Sequence, residues 1–416
     1  MEAAILTIGT ELTRGELADS NGVWLAEQLT DLGCEVVEHV TVGDDVDRMA
    51  AAIRRLSERT GVVVATGGLG PTSDDLTAEA AARAAHVGLF RNEPTLEKIR
   101  RKWAAFEREM PVSNEKQADF PDGADVLFNP IGTADGFGLT LGQARFFFLP
   151  GVPKEMTQLF ADAVVPVVAP MVERTTHQAY IRTFGLTESQ ISDMLGDIED
   201  EHEGVTLGFR AHFPEIEVKV LARAGSASEA EAQTRHVAEI VRNRLGNAVY
   251  GDRTDTFPGA VGRSLRARGM TLAIAESCTG GLVGSLVTSV PGSSDYLLLD
   301  AVTYSNAAKS KMLGVGNELL RAHGAVSAEC AASMAEGALR LSEADLAVSV
   351  TGIAGPGGGT EEKPVGTVWF GLAQKGKPTI TKYRRLHGDR ERIRTLASYV
   401  ALRLVARAAA GETFED

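Results

Sequence analysis

The chain has 416 residues, 44% hydrophobic and 24% charged, which is enough apolar material for two to four separately cored domains. A formal net charge of -14 excludes a general affinity for nucleic acid or an anionic membrane, though not for nucleotides, which local backbone amides can hold. Cys34, Cys278 and Cys330 are too few and too scattered for a disulfide framework or a zinc site.

No segment approaches the ~20 apolar residues of a membrane helix, and MEAAILTIGTEL lacks the basic region of a signal peptide, so a reducing cytoplasm is expected. In chain order, AAILTIG reads as a buried strand, a helical stretch follows near 21–32, and EVVEHVTVG is a second strand. DDVDRMAAAIRRLSER places Val46, Met49, Ile53 and Leu56 on one helical face with Asp44 as its N-cap. GVVVATGG is a short apolar strand ending in glycines, and RFFFLPGVPKEM is a strand, a turn and a helix start. Such alternation predicts an α/β domain over 1–173, its mostly parallel sheet binding ligands at the carboxyl ends of the strands.

Residues 174–252 read differently. YIRTFGL, a helical ESQISDML, a hairpin of GVTLGFRA and EIEVKVLAR about Pro214, and a long helix over 228–246 make a small α+β connector. GDRTDTFPG, 251–259, is expected to link it to a third, α/β domain, 253–416. There TLAIAES and LAVSVTGIAG are strands, and GTVWFGLA and TITKYRRL an antiparallel pair. The closing helix, capped by Asp389, aligns Ile393, Leu396, Val400 and Leu404.

Four loops carry candidate chemistry. TGGLGPTSDDLT, 66–77, leaves the amides of Gly67, Gly68 and Gly70 open to an anion, with Thr72 beside them, and Asp74 and Asp75 could seat a hydrated divalent cation bridging phosphates. The ordinary alternative is a glycine turn in which Asp74 or Asp75 caps the next helix. The loop is neither GxGxxG nor GxxxxGK[ST]. GTEL, with Glu11, opens on the same sheet edge and is followed by Ser20 and Asn21, at least one of which is expected to cap a helix. SNEKQADFP and NPIGTADGF offer Lys116 as a phosphate contact and Asn114 as a base or ribose contact, or simply a solvated loop.

The fourth is AESCTGG, 275–281, read together with VTYSNAAK, 302–309, and TGIAGPGGGTEEKPVG, 351–366. It sets Ser277, Cys278 and Thr279 side by side, and the nearest histidine is His323. A hydroxyl nucleophile without histidine needs another base, and a desolvated neutral lysine can serve. Lys309, five residues after Tyr304, suggests a Ser–Tyr–Lys arrangement, with loop amides receiving an oxyanion. Cys278 is the rival nucleophile, Lys309 then lowering its pKa, although a cysteine there is more often a small packed residue. Taken alone, Lys309 would be an ordinary surface lysine.

TGGLGPTSDDLT, FLPGVPKEM, AESCTGG, VTYSNAAK, GIAGPGGGTEEKPVGTVWF and GDRERIR together resemble the CinA (competence/damage-inducible protein A) family over essentially the whole chain, in the family's order. The three C-terminal motifs are highly specific, whereas the N-terminal loop is shared with the wider molybdopterin-binding class. The resemblance implies a molybdopterin-binding-like domain that hydrolyses ADP-ribose to AMP and ribose 5-phosphate with Mg, Mn or Co. It also implies a KH-like connector and a nicotinamide-nucleotide amidase that converts nicotinamide mononucleotide to nicotinate mononucleotide and ammonia without a cofactor.

By that resemblance Ser277 is the nucleophile, Tyr304 and Lys309 activate it, and Thr351 and Arg394 match substrate and catalytic contact positions; Thr279, which opens the next helix as a cap or donates to the substrate phosphate, and Gly280, Gly352, Gly355 and Arg390 are further candidate substrate contacts. Glu11, Asn21, Gly67, Gly68, Gly70, Thr72, Asn114 and Lys116 are the candidate nucleotide contacts of the N-terminal domain, with Asp74 and Asp75 the candidates for the metal. A homodimer and no membrane partner are further implications. The connector lacks the GxxG of nucleic-acid-binding KH modules, so RNA is not an expected partner. One position departs from the family pattern: GTADGF stands for GTAPGF, placing Asp135 as an extra carboxylate expected beside the phosphate site, where it would weaken the ligand or alter metal demand. Other readings are a competence- or repair-associated scaffold and a pterin-binding protein.

Overall fold

The computed structural model describes residues 1–173 and 175–412. The N-terminal sheet runs in the spatial order Glu35–Val42, Glu2–Ile8, Val62–Thr66, Ala144–Leu149, Gly136–Leu141, Asp125–Leu127. The first four strands are parallel, and the last two return antiparallel. The central strands are covered on both faces, which explains their unbroken apolar runs. In ARFFFL, Phe146 and Phe148 enter one core cluster while Phe147 and Leu149 enter the other, all four at 0% exposure. Each such ring contributes about 1.5–3 kcal/mol on burial.

Parallel neighbours put the loops after Ile8, Thr66 and Leu149 on one sheet edge, as the alternation predicts. Two helix caps fall one or two residues from their expected places. Asp45, not Asp44, caps Val46–Ser57 by accepting from the Arg48 amide. Asp44 instead receives the Thr10 amide at 2.8 Å and so ties the GTEL loop down. Likewise Asp19, rather than Ser20 or Asn21, caps Ser20–Asp31.

The connector sheet runs Val205–His212, Glu215–Ala224, Thr175–Phe184, Val249–Gly251, with the helix Ala227–Leu245. The expected linker is shorter than nine residues, because Thr256 already caps a helix over Phe257–Ala267. By compactness the chain divides in two, and connector residues 179–198 and 207–220 group with the chain from Ala238 onward.

The C-terminal sheet runs Leu297–Val302, Leu272–Glu276, Leu346–Gly352, Thr367–Gln374, Ile380–Arg385. Its first three strands are parallel and the expected antiparallel pair completes it. The closing helix Arg390–Ala410 begins at Asp389, whose carboxylate accepts the Arg392 amide at 2.9 Å. Its core face is Ile393, Ala397, Ala401, Leu404 and Val405, and small residues on that face let it lie close to the sheet. Among the described residues, no helix is long and apolar enough to cross a membrane.

Candidate active sites

In the C-terminal domain the strand Leu272–Glu276 delivers Ser277 to a tight turn, and the helix Asn306–Leu313, capped by Ser305, delivers Lys309. Lys309 Nζ lies 2.8 Å from Ser277 Oγ and donates to the Thr303 carbonyl at 2.7 Å. The lysine is 1% exposed, and among the described residues no carboxylate stands within ion-pair reach of it. Burial without a counter-ion lowers its pKa, partly opposed by the neighbouring Cys330 and Cys278 sulfurs. In the neutral amine one N–H serves Thr303 and the lone pair is left to accept the Ser277 proton.

Cys278 is in a different state. Burial pushes its thiol up to about 12, with its own backbone amide and Lys309 only partly offsetting this, so it is a packed, protonated neighbour. His323 pairs with Glu329 at 3.3 Å and has no part in the cluster.

The turn is held by a residue that the motif reading did not single out. Glu276 is 0% exposed, and its two carboxylate oxygens accept the Gly281 and Gly284 amides, each at 2.8 Å. Gly281, at φ 91°, supplies the left-handed step that turns the chain into Leu282–Thr288. A buried carboxylate must find such donors, so Glu276 at the end of an apolar strand was the available signal. The Gly280 amide is also engaged, with Ser277 O, which leaves the Cys278 and Thr279 amides as the candidate donors to an oxyanion.

Two arginines of the closing helix meet these loops. Arg394 donates twice to the Thr279 carbonyl, at 2.7 and 3.1 Å. Arg390 bridges the Gly355 carbonyl at 2.7 Å and the Tyr304 hydroxyl at 3.1 Å. Tyr304 therefore does not form the expected relay: it is 61% exposed, hydrogen-bonds Arg390, and makes no hydrogen bond to Ser277 or Lys309. Thr351 is 1% exposed and donates its hydroxyl to Ala325 O at 2.7 Å, while Gly352 closes its strand. The Thr279 hydroxyl is buried and has no hydrogen-bond partner among the described residues.

The N-terminal loop is more open. Gly67, at φ 109°, passes so close to the first strand that a Cβ there would stand 2.2 Å from Ile8 O. The Thr77 hydroxyl fastens the turn through Gly67 O at 2.9 Å. Neither aspartate caps the following helix, whose cap position is held by Leu76. The Thr72 amide donates to Asp75 at 2.8 Å, its hydroxyl lies against both Asp74 and Asp75, and Lys116 Nζ donates to Thr72 O at 2.5 Å. The Thr72 hydroxyl holds Asp74 below the usual carboxylate range, with its own backbone amide and Lys116 adding to this.

A cavity of about 150 Å³ opens here, lined by Gly68, Gly70, Asp75, Lys116, Gln117 and Asp135 among others. Two adjacent carboxylates beside a lysine and open glycines suit a hard cation that takes its other ligands from water and phosphate oxygens. Among the described residues, no cluster of three or more His, Cys, Asp or Glu forms.

Asn21 and Asn114 are committed elsewhere, to Gly151 O at 2.8 Å and to Gln117 Oε1 at 2.8 Å. Glu11 folds back over Gly9, outside the cavity. Asp135 lines the cavity but is 3% exposed and is not a loose anion. Lys98 pairs with it, the Thr95 hydroxyl donates at 2.8 Å and the Asn129 amide at 2.7 Å, so its charge is compensated within the fold.

Fold and sites together define a multidomain α/β protein with a buried serine–lysine centre in one domain and a phosphate-type glycine loop in another. Residues 4–170 match the family described as "Probable molybdopterin binding domain", 178–251 the "Damage-inducible protein CinA KH domain", and 254–409 the "CinA C-terminal domain". CinA-like proteins of Geobacter metallireducens and Anaeromyxobacter sp. are each 43% identical, over 404 and 407 residues, covering 97% of this chain and 98% of theirs. The chain belongs to the CinA family. Among solved structures, a competence/damage-inducible protein of Agrobacterium tumefaciens is 40% identical over 38% of this chain and 97% of its own, with a TM-score of 0.36. A CinA of Thermoplasma acidophilum is 32% identical over 40% and 97%, with a TM-score of 0.38.

Proposed function

We propose that the C-terminal centre is an amidase that hydrolyses the carboxamide of nicotinamide mononucleotide to nicotinate mononucleotide and ammonia. The observation that carries this reading is the 2.8 Å contact between the buried Lys309 and Ser277. Neutral Lys309 takes the Ser277 proton as Oγ attacks the carboxamide carbon, and the Cys278 and Thr279 amides receive the oxyanion. The C–N bond then breaks, with the lysine proton passing to the leaving nitrogen to give ammonia. Water attacks the acyl-serine with Lys309 again as base, releasing the acid and restoring the serine. Arg390 and Arg394, at the N-terminus of the closing helix, are proposed to face the substrate phosphate. Incubation with nicotinamide mononucleotide should yield the acid and ammonia in equal amounts, and absence of both at every pH from neutral to mildly alkaline contradicts the reading.

For the N-terminal site we propose hydrolysis of the pyrophosphate of ADP-ribose to AMP and ribose 5-phosphate. Support comes from the Gly68–Gly70 cradle, Lys116 and the paired Asp74 and Asp75 at one sheet edge. A divalent cation on Asp74 and Asp75 would neutralise phosphate charge, while Lys116 and the loop amides orient the phosphates. Release of AMP from ADP-ribose in Mg, Mn or Co, but not in chelator, tests it.

The homodimer remains a proposal. The outer edge of Leu297–Val302 carries Leu298 and Val302, 50% and 44% exposed, and sedimentation of the full chain decides it.

A further inference from the structure

The closing helix Arg390–Ala410 touches two different parts of the molecule with two faces. Arg390 and Arg394 lie on one side. At 100° per residue, Arg392, Tyr399 and Arg403 share a stripe within about 40° on the opposite side. Each residue of that stripe meets the connector. The Arg392 guanidinium stacks on the ring of Phe213, at the tip of the hairpin Val205–His212/Glu215–Ala224, with 4.0 Å from its carbon to the ring centroid. Tyr399 packs against Phe184 at 5.2 Å and on Phe257 at 5.5 Å, and Tyr250 joins Phe257 at 5.3 Å. Arg403 lies directly over Gly185, where a Cβ would stand 1.7 Å from its Nη1. Beneath the aromatic group, Arg182 pairs with Glu217 at 3.4 Å and Glu215 at 4.0 Å, and burial with the Glu215 carboxylate raises both the Tyr250 and Tyr399 phenols.

Resting on the amidase reading, we propose that Phe213 is a positioning residue for that site. Through its stack on Arg392 the connector hairpin fixes the first turn of the closing helix, so that Arg390 and Arg394 on the other side reach the Gly355, Tyr304 and Thr279 positions. The connector thus serves the amidase mechanically, in keeping with a KH-like module that has no GxxG and a chain of net charge -14. The cation–π contact ties the helix N-terminus on this side, while the aromatic group holds the middle.

The test uses the full chain. Phe213 is 42% exposed, so its replacement leaves the cores intact. Phe213→Leu, which keeps the bulk and removes the π face, should raise KM for nicotinamide mononucleotide about three- to tenfold with kcat within about twofold. Phe213→Trp should restore it. Arg392→Ala should match Phe213→Leu, and the double variant should be no worse than either single one. A mere folding defect would lower apparent kcat without raising KM.

Hydrogen exchange provides a readout independent of activity: amides of 389–396 should exchange severalfold faster in Phe213→Leu and at the wild-type rate in Phe213→Trp. An unchanged KM with unchanged exchange overturns the proposal, as do effects of Phe213→Leu and Arg392→Ala that multiply. If the wild type releases no ammonia, the amidase reading fails on its own, and exchange over 389–396 still decides the positioning role.

Discussion

The serine–lysine centre and the glycine–aspartate loop both sit at the carboxyl edge of a parallel sheet, yet they stand at different stages of readiness. In the C-terminal centre Lys309 Nζ and Ser277 Oγ are already 2.8 Å apart, Lys309 is desolvated, and Glu276 locks the turn through two amides. In the N-terminal loop Asp74 and Asp75 are turned onto Thr72, and Lys116 is bonded to the backbone carbonyl of Thr72. Those bonds tie the three groups to one another, and a phosphate or a cation would have to compete with them. The difference follows from burial. A lone buried lysine is tuned by the fold itself, whereas exposed carboxylates and ammonium groups pair with whatever lies nearest until a ligand competes.

The sharpest separation comes from Ser277→Ala and Lys309→Met, each expected to lower ammonia release on the order of a thousandfold or more while leaving ADP-ribose hydrolysis unchanged. Wild-type ammonia release should rise with pH through the lowered pKa of Lys309 and level off below the usual lysine value, because the base form is the active one. The sign for stability follows. Below that usual value the unfolded chain binds a proton at Lys309 more readily than the folded one, so the lysine costs stability that diminishes as pH rises. Lys309→Met should therefore be no less stable at neutral pH, by thermal melt.

Asp75→Asn should cut AMP release about a hundredfold, and chelator should do the same, with ammonia release untouched; equal loss of both activities would dissolve the contrast. Lys98→Met, which strands the buried Asp135 carboxylate, should cost about 3 kcal/mol by denaturant melt, and adding Asp135→Asn should recover part of it. The smallest effect is expected for Cys278→Ala, within about twofold in ammonia release.

Much of this was legible in the sequence because local chemistry and fold agree. Buried parallel strands announce themselves as apolar runs, and the loops at their ends follow, so AESCTGG and VTYSNAAK could be placed together before any coordinates. The misses arose where one side chain could serve several partners. Asp44 and Asp45 compete for one cap, and Thr10 takes the first. Asn21 reads as a cap or a ligand contact, but its amide is used by Gly151 across the sheet edge. Asp135 looked like an intruder at a phosphate site because its partner Lys98 lies 37 residues away on a helix whose packing no pattern specifies. Tyr304 illustrates the opposite limit. Five residues from Lys309 in sequence, it begins before the helix cap, and its ring is directed to Arg390 rather than inward.

The central claim is that Ser277, not Cys278, attacks and that Lys309, not a histidine, supports it. Its most direct test is trapping of the acyl-enzyme from nicotinamide mononucleotide by rapid quench, with mapping of the modified residue by mass spectrometry. An acyl adduct on Ser277 that carries the whole nicotinate mononucleotide moiety, ribose 5-phosphate included, present in Cys278→Ala and absent in Lys309→Met, is the predicted result. An adduct on Cys278, or full ammonia release by Ser277→Ala, would contradict it.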